Sequence, residues 1–476
     1  MTVPILLWFR NDLRMADSPA LGAATRDGAP VVPVYILDDE TPDPWRMGGA
    51  SRWWLHGSLA SLDEDLRRRG SRLLLRRGAV DRVIPALASE TGARAVFWNR
   101  DYEGVRQDSD RRIETALRVQ GIAVESFAGN VLVEPGGIAT RGGGPFKVFT
   151  PFWKSLRSEL RPGPPIRTPR HISAPQSWPA GDRLASWKLR PKQPDWAAGF
   201  GAWTPGETGA GERLSMFLRR GLQEYSTERN RPDLRQTSRL SPHLHFGEIS
   251  AVEVWRRVSE AVVRDQAGER DVEAFLRELG WREFCRHLLF HFPELPEKPW
   301  RAGFARFPWR SDPASLKAWQ RGLTGYPIVD AGMRELWTTG WMHNRVRMIT
   351  ASFLTKHLLI PWQEGEAWFW DTLVDADLAS NAANWQWVAG SGADAAPYFR
   401  IFNPVLQGER FDPQGDYVRR WVPELSKLPA PDIHRPWTSE RLHAAGVILG
   451  KTYPKPIVDH AAARARALKA FRQISG

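Results

Sequence analysis

The chain has little of what defines secreted, membrane-spanning or disulfide-stabilised proteins. Among its 476 residues there is one cysteine, Cys285, so an intrachain disulfide is impossible and a reducing cytoplasm is the expected compartment. No apolar run is long enough to cross a bilayer. The apolar stretch at residues 3–9 follows no basic segment and is too short for a signal peptide. We therefore expect a cytoplasmic protein with no membrane partner.

Motifs that bind metals or nucleotide phosphates are also missing. Two histidine pairs have ligand-like spacing but lack the glutamate of HExxH and nearby cysteines: His243 with His245, and His287 with His291. The first predicted strand is followed by Arg-Asn-Asp-Leu-Arg at residues 10–14, and not by the G-x-G-x-x-G turn that holds a dinucleotide pyrophosphate. The glycines at 142–144 lack the Lys-Ser/Thr of a P-loop. We expect no metal, and no pyrophosphate on the first turn.

What the chain does have is length, positive charge and tryptophan. A chain of 476 residues exceeds one typical core, so two or more domains are expected. Lys and Arg number 66 against 54 Asp and Glu, and this net charge of +12 favours a polyanionic partner. Half of the 24 tryptophans lie between residues 281 and 421, which suggests stacking surfaces or an electron path in addition to core packing.

Alternating strand and helix patterns over residues 1–135 predict a doubly wound, parallel-sheet α/β domain of the Rossmann-like kind. The predicted strands are Ile5–Phe9, Val31–Leu37, Leu73–Leu75 and Ala95–Trp98. Proline and glycine crowd into residues 136–206, which we interpret as an interdomain linker. Residues 207–476 lack strand signals and form a predicted all-helical domain. Its predicted helices are Ala210–Leu222, Ala251–Arg264, Val272–His291, Pro327–Thr338, Asn344–Leu358 and Asp459–Gln473.

The stretch from residue 339 to 404 places charged and amide side chains inside runs that otherwise have the pattern of core helices. These side chains are Arg345, Arg347, Asp375, Asp377, Asn344, Asn381 and Asn384. Polar groups are costly to bury unless they are bonded, so their mixture with large aromatics favours a deep pocket around a flat, hydrogen-bonding ligand. The alternative is a helical core in which Asp375 and Ser380 are N-caps and the tryptophans only pack.

A second polar motif lies at residues 237–242, Thr-Ser-Arg-Leu-Ser-Pro. It supplies hydroxyls and a cation where a helix could start, and Pro242 suits the first helical position. Hydroxyls together with free backbone N–H groups form an anion site. The alternative is an ordinary N-cap.

Several motifs in one order resemble the DNA photolyase/cryptochrome family. GWMHNRVRM, DADLASNAANWQW and DAAPYFRIFNP are similar to its flavin-binding core, and the resemblance runs from LWFRNDLR at residues 7–14 to YPKPIVDHAAARARAL at 453–468. It implies FAD, active as the reduced anion FADH⁻, in the helical domain. It further implies light-driven electron transfer to a cyclobutane pyrimidine dimer flipped out of DNA. WTPGETGAGERL and RLSPHLHFGEIS resemble the bacterial class III photolyases.

The resemblance also implies site residues and a monomer acting on DNA. FAD contacts would be Tyr225, Thr237, Ser238, Arg239, Leu240, Ser241, Phe275, Arg282, Arg347, Asp375, Asp377 and Asn381, with Thr237–Ser241 on the diphosphate and Asn381 facing flavin N5. The dimer would meet Glu278, Trp281, Asn344 and Met348. Electrons would reach the flavin through Trp385, Trp362 and Trp309, with Trp319 as a side branch. DNA contacts would be Arg229, Arg282, Arg345, Arg400, Asn403 and Gln407.

A second, light-harvesting chromophore in or beside the α/β domain is a further implication, with methenyltetrahydrofolate favoured over a deazaflavin or FMN. The Asn-Glu pair that holds folate in other members falls on Val105 and Arg106 here. Valine makes no hydrogen bond and arginine accepts none, so folate needs other partners. The alternative is an empty site.

Three other functions fit the sequence less well. A (6-4) photolyase would have histidines at the positions of Asn344 and Met348. A signalling cryptochrome without repair activity is the main alternative. Glu278, Trp281 and Met348 together, and a chain that ends soon after the last predicted helix, speak against it. A nucleotide-binding module without catalysis leaves the three tryptophans unexplained.

Overall fold

The computed structural model describes residues 3–41, 45–264, 266–395 and 399–474, except the side chain of Val105. The chain divides into two compact units. Unit 1 comprises Met1–Asp195, Gly201–Gln223 and Ser238–Pro293, and unit 2 comprises Trp196–Phe200, Glu224–Thr237 and Glu294–Gly476. These units are defined by contacts, whereas the domain boundaries at residues 135 and 206 are defined by composition and stay a prediction.

Unit 1 contains a parallel five-stranded sheet with strand order β3-β2-β1-β4-β5. The strands are β1 (Ile5–Phe9), β2 (Val31–Leu37), β3 (Leu74–Arg77), β4 (Ala95–Asn99) and β5 (Ala123–Phe127). Every residue of β1 and β2 is buried, as expected for central strands covered on both faces. The predicted doubly wound sheet is confirmed. Its fifth strand was not predicted because β5 lies at the edge, half-exposed, without a continuous apolar run.

Outside the sheet, helices are the main regular elements of the described structure. In chain order they are α1 (Pro19–Ala24), α2 (Gly49–Arg67), α3 (Val80–Thr91), α4 (Gly104–Val119), α5 (Phe149–Glu159), α6 (Glu207–Arg220), α7 (Tyr225–Glu228), α8 (Ser241–His245), α9 (Ala251–Val263), α10 (Glu269–His291), α11 (Pro313–Gln320), α12 (Pro327–Thr339), α13 (Asn344–Ser352), α14 (Trp362–Thr372), α15 (Leu378–Ala389), α16 (Pro404–Phe411), α17 (Asp416–Trp421), α18 (Ala430–Ile433) and α19 (His460–Ile474). None of these helices is both long and apolar enough to cross a membrane.

The long helix α10 is held in unit 1 by aromatic packing against α5. Phe149 lies flat on Trp281, with ring centroids 3.7 Å apart and planes 6° apart. Gly280 permits this approach, because a Cβ at that position would overlap the Trp153 ring. The predicted dimer-stacking tryptophan therefore has one face covered by Phe149, and Trp281 is half-buried.

Unit 2 is built from helices around one large apolar cluster, which includes Trp319, Trp362 and Trp385. The predicted helix Asn344–Leu358 is correct in extent, but its last part, Phe353–His357, is a π-helical turn. In that turn Lys356 points into the protein. Its ammonium lies 3.8 Å from the centroid of the Phe399 ring and donates to the Arg400 carbonyl at 2.9 Å.

Candidate active site

Helices α14 and α15 pack closely in unit 2, and glycine makes the contact possible. A Cβ on Gly365 would overlap the Trp385 ring, so α14 can lie directly against that indole only with glycine there. Trp385 is 3% exposed and meets Phe369 edge-on, with centroids 5.0 Å apart. The predicted first electron carrier is therefore fixed in a single, dry environment.

Asn381 of α15 is oriented by the backbone of α14. Its Nδ2 donates to the carbonyl oxygen of Glu366 at 3.0 Å. A carbonyl can only accept, so the amide nitrogen must face Glu366, and the side-chain oxygen occupies the other branch. That orientation suits a residue whose Oδ1 accepts a hydrogen bond from a ligand N–H.

Glu366 is the polar group on this face that no motif predicted. Its side chain is fully buried, and neither carboxyl oxygen has a hydrogen-bond partner in the part of the chain that the structure describes. Burial raises the pKa of this carboxyl well above its usual value. Buried polar atoms are nearly always bonded, so two orphaned oxygens beside an oriented amide are what a missing hydrogen-bonding ligand leaves behind. The face between α14 and α15 thus fits a flat cofactor with polar edges.

Arg347 and Asp375 form the ion pair that was predicted for this region. Arg347 Nη2 lies 2.8 Å and 3.1 Å from the two Asp375 oxygens, and Arg347 Nε donates to the Met342 carbonyl at 2.8 Å. The N-cap of α15 is Asp377, whose side chain accepts from Ser380 N at 2.9 Å. The alternative in which Asp375 and Ser380 are caps is therefore wrong. The places of Asp375 and Asp377 beside a flavin remain predictions.

The predicted electron-carrying tryptophans differ in exposure. Trp362 is 1% exposed, whereas Trp309 is half-buried and lies against Phe307 at 4.4 Å. Trp319, the predicted side branch, is fully buried, and its ring centroid is 6.2 Å from that of Trp385. Trp319 Nε1 donates to the Thr350 carbonyl at 3.0 Å, which fixes its ring. The side branch thus has direct ring proximity to Trp385.

The predicted dimer and DNA residues of unit 2 lie at helix starts. Asn344 is exposed at the first position of α13, and Met348, one turn along, is half-buried. Arg345 is held by Asn230 Oδ1, 2.8 Å from its Nη2, and its guanidinium lies 4.6 Å from the centroid of the Phe411 ring.

Three further predicted DNA residues lie in helix α16 or just before it. Arg400 is exposed, and Asn403 caps α16 by accepting from Val405 N at 3.0 Å. Gln407 follows one turn later and is half-buried. In the segment before the motif at 237–242, Tyr225 is buried and the Arg229 guanidinium lies 5.7 Å from the centroid of its ring.

Unit 1 carries the predicted residues of α10. Phe275 is buried against Phe217 at 4.6 Å, and Glu278 is half-buried. Arg282 is paired with Glu283 and donates to the Asn130 carbonyl at 2.8 Å. The guanidinium of Arg282 therefore has a structural role within unit 1, and its predicted contacts with FAD and DNA remain untested.

The motif at 237–242 is not an ordinary helix cap. The residue at the N-cap position of α8 is Leu240, which makes no side-chain cap bond, so that alternative is wrong. Ser238 Oγ instead accepts from Leu240 N at 3.3 Å, and Arg239 has a left-handed backbone with φ of 52°. Such a conformation is strained for a residue with a side chain and is common at functional sites. Thr237 is half-buried and Ser241 is exposed, and their role on a diphosphate remains a prediction.

Two expectations from the sequence concern metals and the Val105–Arg106 pair. No group of three or more histidine, cysteine, aspartate or glutamate residues in the described ranges is placed to hold a metal ion. The side chain of Val105 lies outside the described residues. Arg106 is paired with Asp101 at 3.1 Å and with Glu103 at 2.9 Å.

The sequence contained a signal for Glu366 that motif reasoning did not use. Glu366 follows Trp362 by four residues and precedes Phe369 by three, so it shares a helix face with two large aromatics. A carboxyl on an apolar face is costly to bury. It therefore indicates either that the helix prediction is wrong or that a ligand binds at this face.

Two family models match the chain: DNA photolyase over residues 5–170, and the FAD binding domain of DNA photolyase over residues 275–473. A deoxyribodipyrimidine photo-lyase from Agrobacterium fabrum is 54% identical, covering 99% of this chain and 98% of its own length. Cryptochrome-1 of Arabidopsis thaliana is 42% identical, covering 98% of this chain and 70% of its own length. The crystal structure of a bacterial class III photolyase from Agrobacterium tumefaciens has a TM-score of 0.96 at 54% identity, covering 100% of this chain and 98% of that chain.

These matches span both predicted domains, and the α14–α15 face on which Asn381 and Glu366 lie falls inside the FAD-binding match. With 54% identity over nearly its whole length, the chain belongs to the DNA photolyase/cryptochrome family.

Proposed function

We propose that the chain repairs cyclobutane pyrimidine dimers in DNA, using blue or near-ultraviolet light absorbed by reduced FAD. Relatives named deoxyribodipyrimidine photo-lyase support an enzyme over a photoreceptor, and the match to an FAD-binding domain supports the cofactor. The observation that carries the proposal is the α14–α15 face. There Asn381 is oriented by a carbonyl, Glu366 has no partner among the described residues, and Trp385 is buried alongside.

When bound, FADH⁻ supplies a single electron that splits the dimer and then returns. Residues of unit 2 hold and tune it. Asn381 directs Oδ1 to the protonated N5 of the reduced ring, which satisfies that N–H without adding charge. Arg347 and Asp375 would hold the ring from one side as an ion pair, in which the two charges cancel.

The dimer is recognised by residues of helices α10 and α13. Trp281 stacks on the flipped-out bases, and Asn344 and Met348 contact them. Glu278 hydrogen-bonds a dimer carbonyl and stabilises it as negative charge develops there. Arg229, Arg345, Arg400, Asn403 and Gln407 contact the DNA backbone, where the net charge of +12 favours binding.

The route through Trp385, Trp362 and Trp309 restores the reduced flavin and is not part of the repair step. Its inner members are dry and its outer member is half-exposed, as an electron path from surface to cofactor requires. The enzyme acts as a cytoplasmic monomer and needs no metal, since neither the repair step nor the supply of electrons calls for one.

For the second chromophore we propose methenyltetrahydrofolate. In doubly wound sheets, ligands bind where the strand order reverses, at the carboxyl ends of the strands. Here that position lies between β1 and β4, and the chain's own side chains fill it: Arg10, Asp12, Asn99 and Asp110 are mutually bonded. A deazaflavin or FMN in that crevice would have to displace this network.

Acid release of the bound pigments followed by chromatography tests this choice. Folate in addition to FAD is the expected result. Flavin alone, even after reconstitution with methenyltetrahydrofolate, would refute it.

The main function is tested with purified protein and an oligonucleotide carrying a single thymine dimer. Under a blue lamp the reduced protein should restore intact thymines over many turnovers, and in the dark it should restore none. Flavin reduction without any lamp-dependent loss of dimers would favour the photoreceptor function, which the 42% identity to a plant cryptochrome makes the appropriate rival.

A further inference from the structure

Glu366 is a buried carboxyl whose function neither the motifs nor the family match assigns. It lies on the face of α14 that meets α15, four residues after Trp362 and one after the glycine that admits Trp385. Its own backbone carbonyl orients Asn381. The side chain is fully buried, and both carboxyl oxygens lack a hydrogen-bond partner among the described residues.

Among the described residues, the Glu366 carboxyl has no hydrogen-bonded partner, and burial is the one cause that shifts its pKa. α14 packs against α15, whose residues Leu378–Ala389 include no titratable side chain, and against the π-helical turn. The titratable groups of that turn are engaged elsewhere, Lys356 with the Arg400 carbonyl and His357 with His460. Burial alone raises the pKa of Glu366 well above its usual value, which favours the protonated form of the carboxyl.

A protonated carboxyl can donate a hydrogen bond or a proton, and this property decides between two roles for Glu366. A carboxylate near Trp362 and Trp385 could stabilise an oxidised indole or accept its proton, but a neutral acid can do neither. Because the backbone carbonyl of Glu366 holds the Asn381 amide, a neutral acid on the same residue can give a proton to a ligand bound at this face. A group with no protein partner is also free to bond a ligand.

We propose that Glu366 is the proton donor for reduction of the flavin, a role that rests on the proposed binding of FAD to this face. As two electrons reach the ring, the Glu366 O–H bond breaks and the N5–H bond forms, directly or through one water. An external thiol supplies the electrons. In sum, FAD and two thiols give FADH⁻, one disulfide and one proton. The two thiols release two protons, and one of these returns to the Glu366 carboxylate.

The proposal assigns this role to Glu366 and not to Glu364, which lies on the same helix but is exposed. Glu366→Gln keeps the volume and the neutral charge while removing the acidic proton, and Glu364→Gln is the matched control. FAD content is measured first in each variant. A wild-type protein that binds no FAD would overturn the proposed function itself. If FAD is bound normally, the experiment tests only whether Glu366 is the proton donor.

Infrared spectroscopy of protein labelled with ¹³C-glutamate then reports the acid directly. We expect the wild-type protein at pH 8 to show the carbonyl stretch of a protonated glutamic acid, absent from Glu366→Gln and present in Glu364→Gln. Photoreduction of oxidised flavin to FADH⁻ with a thiol should slow on the order of a hundredfold in Glu366→Gln and recover in part in Glu366→Asp. Absence of the band from the FAD-loaded wild type, or unchanged photoreduction in Glu366→Gln, would overturn the proposal.

Discussion

Two polar clusters of the molecule can be compared, one at the strand ends of unit 1 and one on the α14–α15 face of unit 2. At the strand ends, Arg10 bonds Asp110 at 2.8 Å and the Asn99 carbonyl at 2.7 Å, and Asn99 Nδ2 bonds Asp12 at 2.6 Å. On the α14–α15 face, Glu366 bonds nothing in the described chain.

Whether the carboxyl oxygens of a buried cluster have bonding partners separates structural from functional clusters more sharply than residue type does. Both clusters are buried and both contain carboxyls. In the first, every carboxyl oxygen of Asp12 and Asp110 is bonded and only Arg10 Nε lacks a partner among the described residues. We therefore interpret it as part of the fold, although it occupies the usual ligand position of a doubly wound sheet. The second is incomplete, and an incomplete buried cluster implies a partner that the chain does not provide.

Trp385→Phe should produce the largest effect and would sharpen the assignment of the α14–α15 face. Phenylalanine keeps the packing against Phe369 but is much harder to oxidise than indole, so photoreduction of oxidised flavin should be abolished. Repair by chemically reduced enzyme should remain close to normal, because the tryptophan route does not carry the repair electron. The absorption spectrum under illumination gives the first result, and dimer loss gives the second.

Trp437→Phe is the control for that variant, since Trp437 packs on Tyr326 in unit 2 with ring centroids 5.2 Å apart. Photoreduction that persists in Trp385→Phe would mean that another route to the flavin dominates.

Arg10→Ala tests the other half of the comparison. Removing this guanidinium leaves Asp110 without its ion-pair partner in a largely buried place, which should lower the free energy of unfolding by about 3–5 kcal/mol. FAD content and photoreduction of the folded protein should not change. Denaturant unfolding measures the first quantity.

The control is Arg118→Ala, on α4, whose pairing with Glu114 is at the surface and should be worth about 1 kcal/mol or less. A stability loss in Arg10→Ala no larger than in this control would show that the strand-end network does not support the fold.

Glu278→Ala should reduce repair several-fold or more while FAD binding survives. Glu278 is half-buried on α10 beside Trp281, away from the diphosphate motif, so its loss removes a bond to the dimer carbonyl and not to the cofactor. The quantum yield on a dimer-containing oligonucleotide is the measurement. Glu269→Ala, exposed at the start of the same helix, is the control, and an equal yield in both variants would remove Glu278 from the site.

The smallest predicted effect concerns the salt dependence of DNA binding. Arg345→Ala and Arg400→Ala should each reduce the slope of log K against log salt by about one phosphate contact. Arg67→Ala, which removes an exposed arginine of α2, should leave the slope unchanged. Titrations between low and physiological salt measure all three, and an unaltered slope for Arg345→Ala would give that side chain a structural role in its contacts with Asn230 and Phe411.

The sheet and most helices could be predicted because their apolar periodicity is local. β1 and β2 were predicted with their observed ends, since central parallel strands are continuous apolar runs. α14 and α15 were not delimited, because their polar and aromatic residues are mixed on every face. The division into two units depends on contacts between distant segments, such as Trp196–Phe200 with unit 2, which composition does not encode.

The candidate site was predicted unevenly for a similar reason. The Arg347–Asp375 pair and the buried Trp385 agree with the motif-based expectation in geometry. Asp377 caps α15, and Arg282 donates to the Asn130 carbonyl. Both roles depend on neighbouring residues that no motif includes. Glu366 could be identified only from the structure, which shows that its buried carboxyl has no hydrogen-bond partner among the described residues.

Hydrogen–deuterium exchange with and without FAD tests most directly whether the incomplete cluster is the cofactor site. With FAD at a hundred times its Kd, amides in residues 362–389 should exchange up to about a hundredfold more slowly. Amides in residues 5–14 and 95–110, around the cluster at the strand ends, should exchange at unchanged rates. Protection gained at the strand ends with none at residues 362–389 would contradict the account.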